Sequence, residues 1–323
     1  MRQLILAVVL CSPVSLVAAV IDAGAVPGTP FHRYSTVDRF GRTITFYLSE
    51  ASNGRSAPLA VFVQGTGCSS HFHRQDGRIR QGPHSLLYEA AGGRARILAV
   101  EKPGVRFLDQ QANAGDVKTC RPEFPVEHTL ERWTEAITAS IKAAQELPGV
   151  DNTRTLVVGA SEGGVLAVRL SHEVASVTHA ASIAGGGPNH LFVLADYVRR
   201  KGLDAEVEVY ACWAEILRDP DSATKFCWGQ PHRLWSSLLK TSLLQECLQS
   251  RAALYLVHGT ADEQSSIAGF DVLRAEVATK GRKAVFDRIE GADHALTRLG
   301  ESPGDGLLAA FARIVNWFQP ADR

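Results

Sequence analysis

A strand-like run, Thr155-Leu156-Val157-Val158, leads straight into Gly159-Ala160-Ser161-Glu162-Gly163, and a helical stretch with a mostly apolar face follows. Gly-x-Ser-x-Gly in that setting constrains the chain strongly, because it asks for a strand, a sharp turn and a helix in succession. The serine at the apex of such a turn has strained backbone. Glycines two residues to either side are needed because a side chain there collides with the turn. In a chain of 28 glycines the pattern alone is weak. Its flanks make it specific, and the alternative is an ordinary glycine-rich strand-to-helix turn.

The 323 residues suffice for one large α/β domain or two small ones, and 45% hydrophobic against 21% charged residues is an ordinary globular composition. Lys and Arg number 34, as do Asp and Glu. With no net charge, basic stripe or acidic tail, nothing points to nucleic acid or to an anionic membrane surface.

The start of the chain reads as a leader. Met1-Arg2-Gln3 gives a short positive start, Leu4 to Leu10 is apolar, and small residues follow at Ala18-Ala19 and Ala23-Gly24-Ala25. This layout predicts a secretory signal peptide over 1–25, cleaved after Ala19 or Ala25, and a secreted or periplasmic domain over 26–323. A buried N-terminal strand or an uncleaved anchor is the alternative. Pro13, Ser12 and Ser15 weaken a spanning helix, which needs about 20 mainly apolar residues, so the mature chain is expected to have no membrane span.

Export leaves Cys68, Cys120, Cys212, Cys227 and Cys247, an odd number suited to two disulfides and one free thiol. Cys212 with Cys227 closes a short loop and is the first pairing expected, Cys68 with Cys120 the second; the sequence does not fix either. No cysteine or histidine spacing resembles a zinc site, so neither metal nor cofactor is expected.

Thr43 to Leu48 alternates as a half-buried strand does, Pro58 to Val63 is an apolar run, and Ala95 to Val100 reads as a third strand stopped by Pro103-Gly104. Leu130, Trp133, Ile137, Ile141 and Ala144 recur at helical spacing and stop at Pro148-Gly149. Further strands are expected at Val177 to Ile183, Ala253 to Val257 and Val285 to Ile289, with helices near Val272 to Ala278 and Leu307 to Phe318. This alternation predicts an α/β fold: a mostly parallel sheet covered by helices on both faces. One segment, about 189–250, lacks clear strands, is rich in aromatic residues and reads as an inserted helical cap.

A serine hydroxyl needs a base to take its proton and a third group to orient that base. His258-Gly259-Thr260-Ala261-Asp262-Glu263 places acids just beyond a buried strand, and Gly291-Ala292-Asp293-His294 places a histidine beyond the next. In a parallel sheet both loops share the carboxyl edge with the serine turn. With these three segments in this order, most of the chain resembles the α/β-hydrolase superfamily. Within it the likeness runs to exported esterases and to the prolyl-oligopeptidase and dienelactone-hydrolase-like group.

That resemblance implies Ser161 as nucleophile, Asp262 as orienting acid and His294 as general base. Glu263 is the rival acid, while His258 reads as structural and His71, His73 and His84 lie in an early loop. It also implies an oxyanion hole from the backbone N–H of Glu162 and of Gly65 or Thr66, although Gln64 departs from the usual His-Gly before that loop. Trp213, Phe226, Trp228 and Trp235 of the cap are candidates for the pocket wall, though aromatic residues in a helical insertion more often hold it to the body. Arg199-Arg200-Lys201 either meets a carboxylate or is a solvated face. The expected activity is hydrolysis of a small carboxylic ester through an acyl-enzyme. Peptidase, thioesterase or acyltransferase chemistry is the alternative, and a catalytically inactive binding module is the reading of another class.

Overall fold

The computed structural model describes residues 19–50, 55–112, 116–202 and 206–319; the greater part of the expected leader lies outside them. The chain opens with an antiparallel meander, β1 (Ile21–Ala25), β2 (Phe31–Val37) and β3 (Thr43–Ser49). Then come β4 (Ala57–Val63), a hairpin of β5 (Phe72–Gln75) and β6 (Arg78–Gln81), and α1 (His84–Ala91). After them stand β7 (Arg96–Val100), the single turn α2 (Phe124–Glu127) and α3 (Leu130–Gln145). The turn strand β8 (Val150–Ala160) is followed by α4 (Glu162–Glu173) and β9 (Val177–Ile183).

The cap holds α5 (His190–Arg200), α6 (Glu206–Arg218), β10 (Phe226–Cys227), β11 (Gln230–Pro231), α7 (His232–Leu238) and α8 (Leu243–Gln249). The chain then returns to the body through β12 (Ala253–Gly259), α9 (Ile267–Thr279), β13 (Val285–Ile289) and α10 (Asp305–Phe318).

Nine of these strands form one sheet in the order β1-β2-β3-β7-β4-β8-β9-β12-β13. From β7 to β13 every pairing is parallel, and β3 joins β7 antiparallel. The side-chain period of two explains why both faces are apolar. Ala60, Phe62, Leu156 and Val158 pack with Leu87 of α1 and Phe311 of α10, whereas Leu59, Val61, Val63 and Val157 pack with Trp133 and Ile137 of α3. Thr129 caps α3 by accepting the Arg132 N–H at 3.2 Å.

Within the meander only β3 had a signature, the Thr43 to Leu48 alternation; β1, β2 and the small hairpins had none. β1 is exposed along its whole length, so it has no apolar alternation to read. The β10–β11 hairpin turns through Trp228 (φ 46°) and Gly229 (φ 76°), two successive left-handed residues that match the right-handed twist of a two-residue hairpin loop. Processing after Ala25 would remove β1, whereas processing after Ala19 leaves it whole. Disulfides join Cys68 to Cys120 and Cys212 to Cys227, and Cys247 is a buried free thiol. Among the described residues no helix is long and apolar enough to cross a membrane.

Candidate active site

Ser161 occupies the turn between β8 and α4 with φ 55° and ψ −123°, a conformation ordinary residues avoid. Its N–H donates to the Ile183 carbonyl at 2.8 Å, which pins the turn to β9. The flanking glycines are sterically required. A Cβ on Gly159 would stand 1.9 Å from the Gly163 oxygen, and one on Gly163 would stand 2.2 Å from the Gln64 oxygen.

Asp262 and His294 come from the loops after β12 and β13. Asp262 Oδ2 lies 2.7 Å from His294 Nδ1, and the aspartate side chain is fully enclosed while the histidine is 21% exposed. Asp262 Oδ1 accepts the N–H groups of Gln264 at 2.7 Å and Ser265 at 3.0 Å, and its Oδ2 accepts the Ser265 hydroxyl. Burial acts to raise its pKa, but the His294 ring and these donors outweigh burial and hold the carboxyl below the usual range. His258 is buried with its Nε2 3.0 Å from the Ser265 carbonyl, so it packs the acid loop from behind.

Glu263, the rival acid, is 77% exposed and paired with Lys201 at 2.5 Å. Arg199 and Arg200 pair with Glu206 and Asp196. The basic run is therefore a solvated, internally paired face.

Ser161 and His294 wall one cavity of about 150 Å³ together with Thr66, Glu162 and His190. Val193 and Leu194 of α5 and Leu234, Trp235 and Leu238 of α7 close it from the cap. Of the four aromatic residues expected in the wall, only Trp235 is there. Trp228 packs edge-on against it at 5.6 Å, Trp213 packs on the core beneath the cap, and Phe226 is 39% exposed on the hairpin. Trp213 and Trp228 brace the insertion against the body core around α3, and Phe226 lies on its surface. Thr66 lines both the serine's cavity and a second hollow of about 240 Å³, whereas Gly65 lines only the second. Gly65 still presses on the serine turn, since a Cβ there would lie 3.2 Å from Ser161 Cβ.

Sequence reasoning missed the group behind the serine. The Glu162 side chain is buried, its Oε1 3.4 Å from His128 Nε2. Burial raises its pKa, but the Lys102 charge, the His128 ring and the Thr66 hydroxyl together hold it at about 2. Burial pushes the pKa of His190 down, against the nearby Glu162 charge. The available signal was a charged pair, Glu101-Lys102, standing at the end of an apolar strand on the same sheet edge.

No known family pattern matches this sequence, and no curated protein matches it by sequence. Solved structures do. The Pyrococcus horikoshii acylaminoacyl peptidase is similar at TM-score 0.61 and 15% identity, over 91% of this chain and 42% of that one. This chain thus spans about two fifths of that peptidase's length. Est1E from Butyrivibrio proteoclasticus is similar at TM-score 0.53 and 15% identity, over 88% of this chain and 96% of Est1E. Dipeptidyl peptidase 4 of Porphyromonas gingivalis is similar at TM-score 0.58 and 14% identity, over 89% and 35%. A parallel sheet with its serine turn after the central strand β8, matched across nearly the whole chain by these structures, identifies the fold of this protein as that of the α/β-hydrolases.

Proposed function

We propose that this protein is an exported serine hydrolase that cleaves a small carboxylic ester. The observation that carries the reading is that Ser161 and His294 wall one cavity while Asp262 holds the His294 ring at 2.7 Å. With Nδ1–H directed to Asp262, His294 Nε2 is the base. It takes the Ser161 proton as Oγ bonds to the acyl carbon, then returns that proton to the leaving alcohol. Water repeats the sequence on the acyl-enzyme, releasing the acid and restoring the serine. Backbone N–H groups of Glu162 and of the loop after β4 receive the oxyanion in both steps.

The cavity suits a small uncharged acyl group. No lysine or arginine lines it, its one carboxylate (Glu162) is spoken for by buried partners, and its cap side is mainly aliphatic and aromatic, with His190 and Gln230 as its polar members. Two disulfides and the leader-like start support export, with processing after Ala19 so that β1 stays in the sheet.

A fluorophosphonate probe tests the chemistry: wild type is labelled and Ser161→Ala is not. Absence of labelling in the folded wild type supports an inactive binding module. A panel of p-nitrophenyl esters beside peptide p-nitroanilides tests the substrate, and turnover of the anilides alone would replace the esterase reading with a peptidase.

A further inference from the structure

At the end of β7 the chain places Glu101 and Lys102 in succession, each 2% exposed. Alternation along an extended strand sends them to opposite sides, and both reach the loop that follows β4. Lys102 Nζ donates to the carbonyls of Gly65 at 2.5 Å and Gly67 at 2.9 Å, and it stands 4.4 Å from the centroid of the Trp133 ring. Glu101 Oε1 accepts from the Ser70 hydroxyl, from the Tyr47 hydroxyl at 2.7 Å and from the His71 N–H at 3.4 Å. Two adjacent residues thus grip the loop 65–71 near both ends. Between them, Gln111 Oε1 accepts the Cys68 N–H at 3.1 Å, and Cys68 is bonded to Cys120.

We propose that Lys102 is a positioning residue that aims and polarises the Thr66 N–H as the second oxyanion donor. The proposal rests on the serine-hydrolase reading above and adds the identity of that donor and the group that sets it. The Gly65 carbonyl and the Thr66 N–H are the two ends of one peptide unit. A charged donor on the oxygen end draws electron density from the unit, which makes its N–H a stronger donor. Thr66, unlike Gly65, walls the serine's cavity.

The counter-charge for Lys102 is Glu162, whose own N–H is the other donor. Glu162 opposes the burial that lowers the Lys102 pKa, and Lys102 in turn holds Glu162 ionised. The two buried charges act on one another through space rather than by direct contact, and the contact that reaches the loop is the one from Lys102 to the Gly65 and Gly67 carbonyls. A buried ammonium and carboxylate are costly to hold without partners. Here each has partners, and they lead to the two places where the negative charge of the transition state has to be met.

The test compares Lys102→Met and the charge-neutral double variant Lys102→Met/Glu162→Gln with wild type. Four quantities are read: kcat, KM, thermal midpoint and Ki for a trifluoromethyl ketone analogue of the best ester, which adds Ser161 to give an oxyanion. In both variants kcat is expected to fall about 10- to 100-fold, less than loss of a direct donor costs, with KM held within roughly threefold. Ki should rise in step with the loss of kcat/KM, and the double variant should recover the thermal midpoint without recovering kcat. Should Lys102→Met not fold, the double variant decides. Recovery of kcat and Ki in the double variant, or wild-type values in either folded variant, would reduce Lys102 to packing and overturn the proposal. Ser161→Ala, run alongside, separates the two levels: if it stays active, the hydrolase reading has failed rather than the assignment of Lys102.

Discussion

Asp262 Oδ2 lies 2.7 Å from His294 Nδ1, while the other oxygen of the same carboxylate accepts two backbone N–H groups from its own loop. The acid is thus fixed by its loop independently of the histidine and presents one oxygen to it. Its neighbour Glu263 points to solvent and to Lys201. Two consecutive carboxylates, one enclosed and one hydrated, have different work.

Asp262→Asn should therefore keep the fold and lower kcat by about 10³- to 10⁴-fold, because an amide in that position favours the wrong histidine tautomer. Glu263→Ala should leave kcat within about twofold. Steady-state ester hydrolysis measures both, and equal losses at the two sites would remove Asp262 from the proposed role.

Gly163→Ala puts a methyl group 2.2 Å from the Gln64 oxygen and 2.5 Å from the Val63 oxygen, both backbone atoms that cannot swing away. A destabilisation of about 3 kcal/mol is expected from this overpacking. Gly281, with φ 71° and open space around it, serves as the control; alanine there should cost only ~1–2 kcal/mol of left-handed strain. Urea unfolding of the pair distinguishes steric collision from lost glycine freedom.

Glu101 and Glu162 should bend the pH dependence of stability in opposite senses. Burial, the largest influence on Glu101, raises its carboxyl from 4.5 to about 7 against hydrogen bonds from Ser70, Tyr47 and the His71 backbone. Between those values the folded chain keeps a proton that the unfolded chain has lost. Its contribution is therefore full below pH 4.5 and lost as pH rises through about 7. Glu162 falls from 4.5 to about 2, so its contribution is present above pH 4.5 and lost as pH falls toward 2. Relative to Glu101→Gln, the wild-type urea midpoint should decline with rising pH; relative to Glu162→Gln, it should decline with falling pH. Parallel curves would contradict both assignments.

The two disulfides should differ in what they protect. Sequence separations of 52 and 15 residues correspond to about 4 and about 3 kcal/mol in the chain-entropy account, so both support stability. Of the two, only Cys68–Cys120 anchors the loop after β4, the proposed oxyanion loop. Replacing that pair by serines should lower kcat as well as the thermal midpoint. Replacing Cys212 and Cys227, both in the cap, should lower the midpoint and alter KM. Equal kcat losses in the two variants would mean that the loop does not depend on its bond.

The parts legible in the sequence were those written in local, repetitive terms. Mainly apolar runs announced β4, β7, β9 and β12, the 3–4 spacing announced α3, and the serine, acid and histidine segments each carried a small motif. What escaped was whatever depends on meeting across the fold. Lys102 and Gly65 are 37 residues apart, and His128 and Glu162 are 34 apart; nothing local to either partner marks the contact. The pocket wall failed for a related reason. An aromatic residue in a helical insertion reads the same whether it faces a ligand, braces the cap or lies on its surface, and only Trp235 of the four faces the cavity.

The cavity's walls come from two kinds of chain segment. Thr66, Ser161, Ser265 and His294 stand at the ends of sheet strands, whereas Val193, Leu194, Leu234, Trp235 and Leu238 all belong to the run between β9 and β12. That run leaves the sheet after Ile183 and rejoins it at Ala253. A change of length or sequence inside it would reshape the cavity without moving Ser161, Asp262 or His294, so on the proposed reading selectivity and reactivity are inherited on different pieces of the same gene product.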